Sequence, residues 1–497
     1  MKVLIFYQRG WAIRFGIPIC SAIKYSFPDA QISALVMKQT AFEHIQKQNS
    51  INFENIWIWD KYLHAPDEVI GDRTVSLREV CDFLGVEGIW ENVQSLRAHI
   101  RDYGKRYYYA YSQSVSDEHL TKIIYATYLL VKEIHEKFKP DAIIVPNFVG
   151  IQHLFFMHYC RKYNVYIRGF TDSRFDRSRV ILIENELDDG GPVHEKFKNI
   201  LQSRSEPSKH CKEIFLNFKN NLLAKTKAKS SSVNYGLLDK PSLKRIASQV
   251  YRKFKRTNQF YKSVVSIDNS GVRIAIRDHL THYKNVTDVN SFKYDEVPNA
   301  PFVFFPLQFQ PEQTIDVFSP FFNNQIETAR LVAMSLPYDV TLVVKDHPAM
   351  VGYRNASYLQ KIQTQPNIKL VDYRVSSAKL ISESIGVISP GGTVILEAAF
   401  VGKKAIQLGD NAIYTNFSHV LYFTHLRELR RQIATWFYSP IDQKLADFQI
   451  LAWIQAVLDK GIDMDYFSAW EAKEKFDITP MTDAIVSDMK QHFKGDN

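Results

Sequence analysis

Between Phe302 and Leu408 the chain alternates short apolar runs with amphipathic stretches, and this alternation constrains the fold more than any other feature. Runs at Phe302 to Phe305, Val340 to Val344, Ile368 to Val371, Gly386 to Ile388 and Lys404 to Leu408 have strand length. The stretches between them, Asn323 to Leu336, Arg354 to Gln363, Ser376 to Ser384 and Thr393 to Val401, carry helical periodicity. Strands alternating with helices require crossovers and therefore a mostly parallel sheet covered on both faces.

A weaker version opens the chain, with strands at residues 2 to 7 and Gln31 to Val36 around a helix at 13 to 25. It recurs as Asp141 to Val145, a helix at Ile151 to Tyr163, then strands Val165 to Ile167 and Val180 to Ile183. Residues 91 to 138 read as helical, with Tyr103, Tyr107, Tyr108, Tyr109 and Tyr111 packing against the sheet. At 497 residues the chain is too long for one ordinary core. The expected fold class is therefore α/β, with two Rossmann-like doubly wound domains facing a cleft. Residues 1–295 are expected to form one Rossmann-like domain with a basic insertion around 225–262, 296–470 a second, and 471–497 a helical tail.

The net charge of +9 concentrates between Lys225 and Lys262, where Lys227, Lys229, Lys244, Arg245, Arg252, Lys253, Lys255 and Arg256 meet only Asp239. Ser242 to Tyr261 reads as a basic amphipathic helix, which is a solvated linker face, a peripheral contact with an anionic membrane, or a contact with an anionic acceptor. No nucleic-acid reader motif accompanies the charge, so nucleic acid is not an expected partner. Cys20, Cys81, Cys160 and Cys211 are widely spaced, which fits buried thiols in a reducing compartment and a cytoplasmic protein. No segment has the length of a signal peptide or membrane span.

Ligands of open parallel sheets bind beyond the carboxyl ends of the strands, and the polar segments cluster there. The first strand of the second series leads into Pro306-Leu307-Gln308-Phe309-Gln310-Pro311-Glu312, the second into Lys345-Asp346-His347-Pro348, the fourth into Ser389-Pro390-Gly391-Gly392-Thr393. Pro348 holds His347 out of the helical region, so its imidazole can donate to a phosphate oxygen while Lys345 adds a point charge. Gly391 and Gly392 let an anion approach the backbone, Thr393 opens a helix whose N-terminus favours negative charge, and Glu397, one turn on, can accept from ribose hydroxyls. No Asp-x-Asp follows a strand, so no metal is expected, nor a cofactor beyond the substrate. His153 and His158 read as packed histidines.

In order and spacing, Phe304 to Gln308, Val344 to Pro348 and Ser389 to Ala398 with Gly402-Lys403 resemble the bacterial capsular polysaccharide biosynthesis proteins, which include capsule Kdo transferases and are distantly similar to CMP-sugar sialyltransferases. The likeness covers about a hundred residues. It implies a GT-B glycosyltransferase that moves a sugar from a nucleotide donor, with CMP favoured, to a capsular glycan or glycolipid, residues 296–470 forming the donor domain and 1–295 the acceptor-side domain. His347 and Lys345 would then contact the donor phosphate, Ser389 and Thr393 would complete that site, and Gln308, Gln310 and Pro348 would line it. Sialyltransferase-like enzymes also carry an acidic motif supplying the base; Asp188-Asp189-Gly190 matches it, with Glu184 and Glu312 as alternatives, although Asp-Asp-Gly is also an ordinary turn. Rival readings are a UDP-sugar 2-epimerase, which shares the Ser-x-Gly-Gly helix start, a polyol-phosphate transferase, and a non-catalytic assembly factor.

Overall fold

A computed structural model shows the chain as mixed α/β, with two sheets each covered by helices. It describes the whole chain except residues 9–10, 97–116, 176–177, 228–246, 249–250, 252–271, 412, 424, 467–468, 470–475 and 495–497. The tyrosine cluster at 103–111 lies outside the described residues, as does nearly all of the basic stretch at 225–262.

The first sheet contains β1 (Lys2–Tyr7), β2 (Gln31–Val36), β3 (Ile56–Ile58), β4 (Ala142–Ile144), β5 (Tyr166–Asp172) and β6 (Arg179–Ile183). The second contains β7 (Phe302–Pro306), β8 (Thr341–Lys345), β9 (Ile368–Val371), β10 (Gly386–Ser389), β11 (Ala405–Gln407) and β12 (Val420–Tyr422). A last short strand, β13 (Ile462–Asp463), returns to the first sheet and pairs with β6. The orders are β13-β6-β5-β4-β1-β2-β3 and β12-β11-β10-β7-β8-β9, so the winding reverses between β1 and β4 and between β7 and β10. All pairings in the second sheet are parallel.

The second sheet matches the sequence reading nearly strand for strand, because each buried strand is a continuous apolar run. The first departs from it at β5 and β6, which pair antiparallel as a hairpin without a crossover helix. β3, β12 and β13 have two or three residues each, too short to carry a period, and were not foreseen.

The halves meet through apolar side chains. Helix Gln443–Lys460 lies against helix Gly191–Ser203, with the fully buried Trp453 edge-on to Phe197 at 5.5 Å and tilted over His194 at 5.3 Å. Phe400 meets Phe175 at 6.3 Å and Phe218 at 4.6 Å. Burying rings of this size stabilises by roughly 2–3 kcal/mol each, enough to hold the facing sheet ends in register. The four cysteines are unbridged, and Cys20, Cys160 and Cys211 are buried. No helix among the described residues is long and apolar enough to cross a membrane.

Candidate functional site

The site is built at the β7/β10 switch point. The Gln308 amide crosses it, donating to Ser389 Oγ at 3.0 Å, and the Ser389 hydroxyl donates to the Gly391 carbonyl at 2.7 Å. Ser389 is wholly buried, so it shapes the loop from beneath. Gly392 caps helix Thr393–Phe400 with φ 91° and ψ 165°, a region essentially restricted to glycine, and a Cβ there would lie 2.6 Å from Gln308 Oε1. The amide and the glycine therefore fit only together. Gly391 is buried below, whereas Thr393 is exposed at the helix start, which has no side-chain cap among the described residues; the first N–H groups of a helix have no partner within it and favour an anion.

The β7 loop is anchored on its other side. Gln325, fully buried, accepts from the Gln308 N–H at 2.6 Å and donates to Gln310 Oε1 at 3.2 Å. Gln310 is 2% exposed and acts within the loop, also donating to the Asn323 carbonyl at 3.2 Å. Arg354, with no exposed surface, joins Asp346 in a buried ion pair and donates to the Gln308 carbonyl at 2.7 Å, tying the β7 and β8 loops together.

Asp346 Oδ1 also accepts the His347 N–H at 2.8 Å. Pro348 begins a short 3-10 turn, and His347 Nδ1 accepts the Ala349 N–H at 3.1 Å. Burial first, then the charges of Lys345 and Arg354, push His347 down to about 4. At neutral pH the imidazole is therefore uncharged with its proton on Nε2, a fixed donor rather than a cation. Lys345, 5% exposed, donates to the Val375 carbonyl at 3.2 Å, and burial lowers it to about 8 against the opposing pull of Asp346, Glu397 and Asp372. Lys345 is thus seated behind the loops, and its charge is titratable close to neutrality.

The first half contributes Arg174, in the turn after β5, which the sequence reading missed. Its guanidinium binds Asp188 Oδ2 at 2.6 Å and Thr171 Oγ1 at 3.0 Å. Asp188 has no exposed surface, and its Oδ1 has no hydrogen-bond partner among the described residues. Asp189 turns the other way, 3.9 Å from His194 Nε2, and its carbonyl closes the turn by accepting the Glu184 N–H at 2.8 Å. Glu184 itself is 2.8 Å from Arg168. The Asp-Asp-Gly segment is thus a turn that sends Asp188 inward to Arg174.

Across the gap, Arg174 acts electrostatically on Glu312 and on the buried Tyr414, which also feels Asp188 and Glu397. Glu312 reaches solvent in the gap while protein surrounds it on several sides. That desolvation raises its carboxyl above the usual range, against a hydrogen bond from Thr314 and the Arg174 charge. Asn323 donates to Gln94 Oε1 at 3.0 Å, closing one side of the gap. The structure thus brings Gln308, Gly391, Gly392, Thr393, Glu397, Lys345 and His347 to one sheet end, and sets Glu312 between them and the Arg174–Asp188 pair. Arg174 gave no signal because a lone arginine after a short strand carries no pattern. Among the described residues, no three His, Cys, Asp or Glu side chains converge as metal ligands.

Two doubly wound α/β halves with loops facing across a gap define a GT-B-like protein. No protein-family model matches the chain. Among curated proteins it is similar to protein FixF of Sinorhizobium fredii, 25% identical over 201 residues, 40% of this chain and 46% of that protein. The match therefore spans about half of the relative's length. Solved structures similar to it include KpsC of Thermosulfurimonas dismutans, described as a β-Kdo 2,4 transferase (14% identity, 63% of this chain and 79% of that one, TM-score 0.28). Others are the UDP-GlcNAc 2-epimerases of Methanocaldococcus jannaschii (12%, 88% and 93%, TM-score 0.24) and of Neisseria meningitidis bound to UDP-GlcNAc (13%, 92% and 98%, TM-score 0.24). At those TM-scores the likenesses carry no argument; the architecture rests on strand order and connectivity.

Proposed function

We propose that the protein is a glycosyltransferase that holds a nucleotide-activated sugar on its second half and transfers the sugar to a glycan hydroxyl at the gap. The observation that carries this reading is the β7/β10 switch point, where the Gln308–Gly392 fit shapes the start of helix Thr393–Phe400 at the sheet end that also carries the neutral His347 imidazole after β8. Such a cradle suits the phosphate of a departing nucleotide.

In this mechanism the acceptor hydroxyl loses its proton to the Glu312 carboxylate, and its oxygen bonds to the anomeric carbon. The bond from that carbon to the phosphate oxygen breaks, and its electron pair leaves with the nucleotide. His347 and the N–H groups at Gly392 and Thr393 stabilise the phosphate, with the Lys345 charge behind them and Glu397 toward the ribose. Glu312 is preferred to Asp188 as base because its carboxyl reaches solvent, whereas Asp188 is buried and held by the Arg174 guanidinium.

The test is a panel of CMP- and UDP-sugars, CMP-sugars first, assayed for binding and for transfer to glycan acceptors. Binding by at least one donor, with transfer lowered by about 10²–10⁴-fold in Glu312→Gln and donor affinity retained, is the expected result. A protein that binds no nucleotide sugar overturns the proposal. Epimerised donor formed without acceptor would replace it with the 2-epimerase reading.

A further inference from the structure

A second cavity, of about 390 Å³, opens at the switch point of the first sheet, beyond β1, β2 and β3 and beside the start of helix Ile151–Tyr163. Met37, Trp59, Leu63 and Leu96 give it apolar walls, and the Lys38–Asp60 pair, 3.8 Å apart, contributes no net charge. The volume is that of a small ligand, and the lining suits a neutral molecule with both an apolar face and polar edges.

The polar edges are the amides of Gln8 and Gln152, and one buried histidine organises both. His153 has no exposed surface, and burial lowers it to about 3, so the ring is neutral. Its Nδ1 accepts the Gly150 N–H at 3.2 Å and lies 3.3 Å from Gln152 Nε2. Gln152 Nε2 is also 3.4 Å from Met37 Sδ. Nδ1 is therefore the acceptor nitrogen, and the ring proton resides on Nε2. Gln8 Nε2 is placed 3.2 Å from His153 Nε2; because that ring nitrogen carries the proton, the hydrogen-bond network assigns the Gln8 amide the other way round, with its oxygen accepting there. The Gln8 N–H₂ is then turned away from the imidazole toward the cavity. Gln152 is turned oppositely, its N–H₂ toward His153 Nδ1, which leaves its oxygen as the acceptor it brings to the cavity lining. The cavity thus presents an amide donor from Gln8 and an amide acceptor from Gln152, above walls that accept a methyl group.

We infer that this cavity binds the secondary amide of a neutral N-acetylated aminosugar unit, the carbonyl taken by Gln8, the N–H by Gln152, and the acetyl methyl by the Met37, Trp59 and Leu96 wall. Its place as the glycan side of a transfer reaction rests on the function proposed above, but sugar binding is measured apart from it. His153 is a positioning residue here.

The experiment is titration of the full chain with methyl N-acetyl-β-D-glucosaminide, methyl N-acetyl-β-D-galactosaminide and methyl β-D-glucoside, followed by saturation-transfer NMR, with nucleotide-sugar binding measured in parallel. An acetamido sugar should bind at least about fivefold more tightly than the glucoside, since its amide satisfies two partners that a hydroxyl satisfies incompletely. Gln152→Met and Gln8→Leu, which keep side-chain bulk, should erase that preference, and Leu96→Trp should block binding. Each should leave nucleotide-sugar affinity unchanged, with a melting curve that falls by a few degrees yet remains a single cooperative transition, since each change disturbs a buried hydrogen bond or the packing around Leu96. Equal affinity for the glucoside, a preference that survives both glutamine changes, or no sugar binding at 20 mM (the highest concentration of about 20 mM is set by the weak affinity of single sugars) overturns the inference. Loss of nucleotide-sugar binding alone would instead count against the proposed donor site.

Discussion

Replacing Gly392 with alanine tests the donor cradle at its most constrained point. The backbone at φ 91°, ψ 165° would cost an L-residue about 1–3 kcal/mol. The new Cβ would lie 2.6 Å from Gln308 Oε1, so the amide must swing aside and give up its 3.0 Å donation to Ser389, a further loss of about 1 kcal/mol. The sum, about 2–4 kcal/mol, corresponds to a fall in Tm of roughly 5–15 °C for a half of this size. Gly391→Ala is the internal control: its Cβ is close to the Thr314 methyl at 3.2 Å, which can turn, and meets Ser319 Oγ and the Thr314 carbonyl at the ordinary contact distances of 3.8 and 3.9 Å, so the expected change is below about 1 kcal/mol. Thermal melts followed by calorimetric titration of a nucleotide sugar measure both effects. Gly392→Ala should weaken donor affinity by at least about tenfold, or 1.4 kcal/mol, while Gly391→Ala stays near wild type. A Gly392→Ala protein that melts within about 2 °C of wild type and binds donor equally would refute the close fit of glycine and amide.

Lys345 makes the site pH-dependent. Its value near 8 lies below the unfolded value, so the folded chain holds fewer protons than the unfolded chain between about 8 and 10.5, and folding stability contributed by this group rises with pH across that window. Donor affinity runs the other way, falling as pH rises through about 8, and Lys345→Met should flatten that profile; an unchanged slope would reject the role of its charge. Because His347 stays neutral above about 4, titrations between pH 5 and 7 should show no step from it, and His347→Gln should retain more donor affinity than His347→Ala. Arg174→Met would leave Asp188 buried and unpaired, a loss of about 3–5 kcal/mol by chemical denaturation, and adding Asp188→Leu should recover much of it. Failure of the second change to rescue the first would show that the pair is not a closed unit.

How far the sequence reaches is clearest at particular elements. β7 to β11 could be placed from the sequence within a residue or two, since each is a buried apolar run followed by a polar turn. The β5–β6 hairpin was not legible as antiparallel: a strand's apolar content says that it is buried, not which direction its neighbour runs. Gln308, Gln310 and Ser389 could be nominated by position after strands, but their hydrogen bonds show them shaping the loops. Asp188 and Asp189 read as one motif, yet the turn sends them to Arg174 and toward His194 respectively.

By itself, then, the sequence determined the alternating architecture of the second half and the strand ends where polar groups gather, because periodicity and strand-end chemistry are local. Tertiary structure alone decided that Arg174 faces Glu312 and Tyr414 across the gap, and that burial makes His347 a neutral donor and Lys345 titratable near neutrality. It alone also brought Gln8 and Gln152 onto His153 from separate elements. These outcomes depend on desolvation and on contacts between residues far apart in the chain, quantities that no local window of sequence contains.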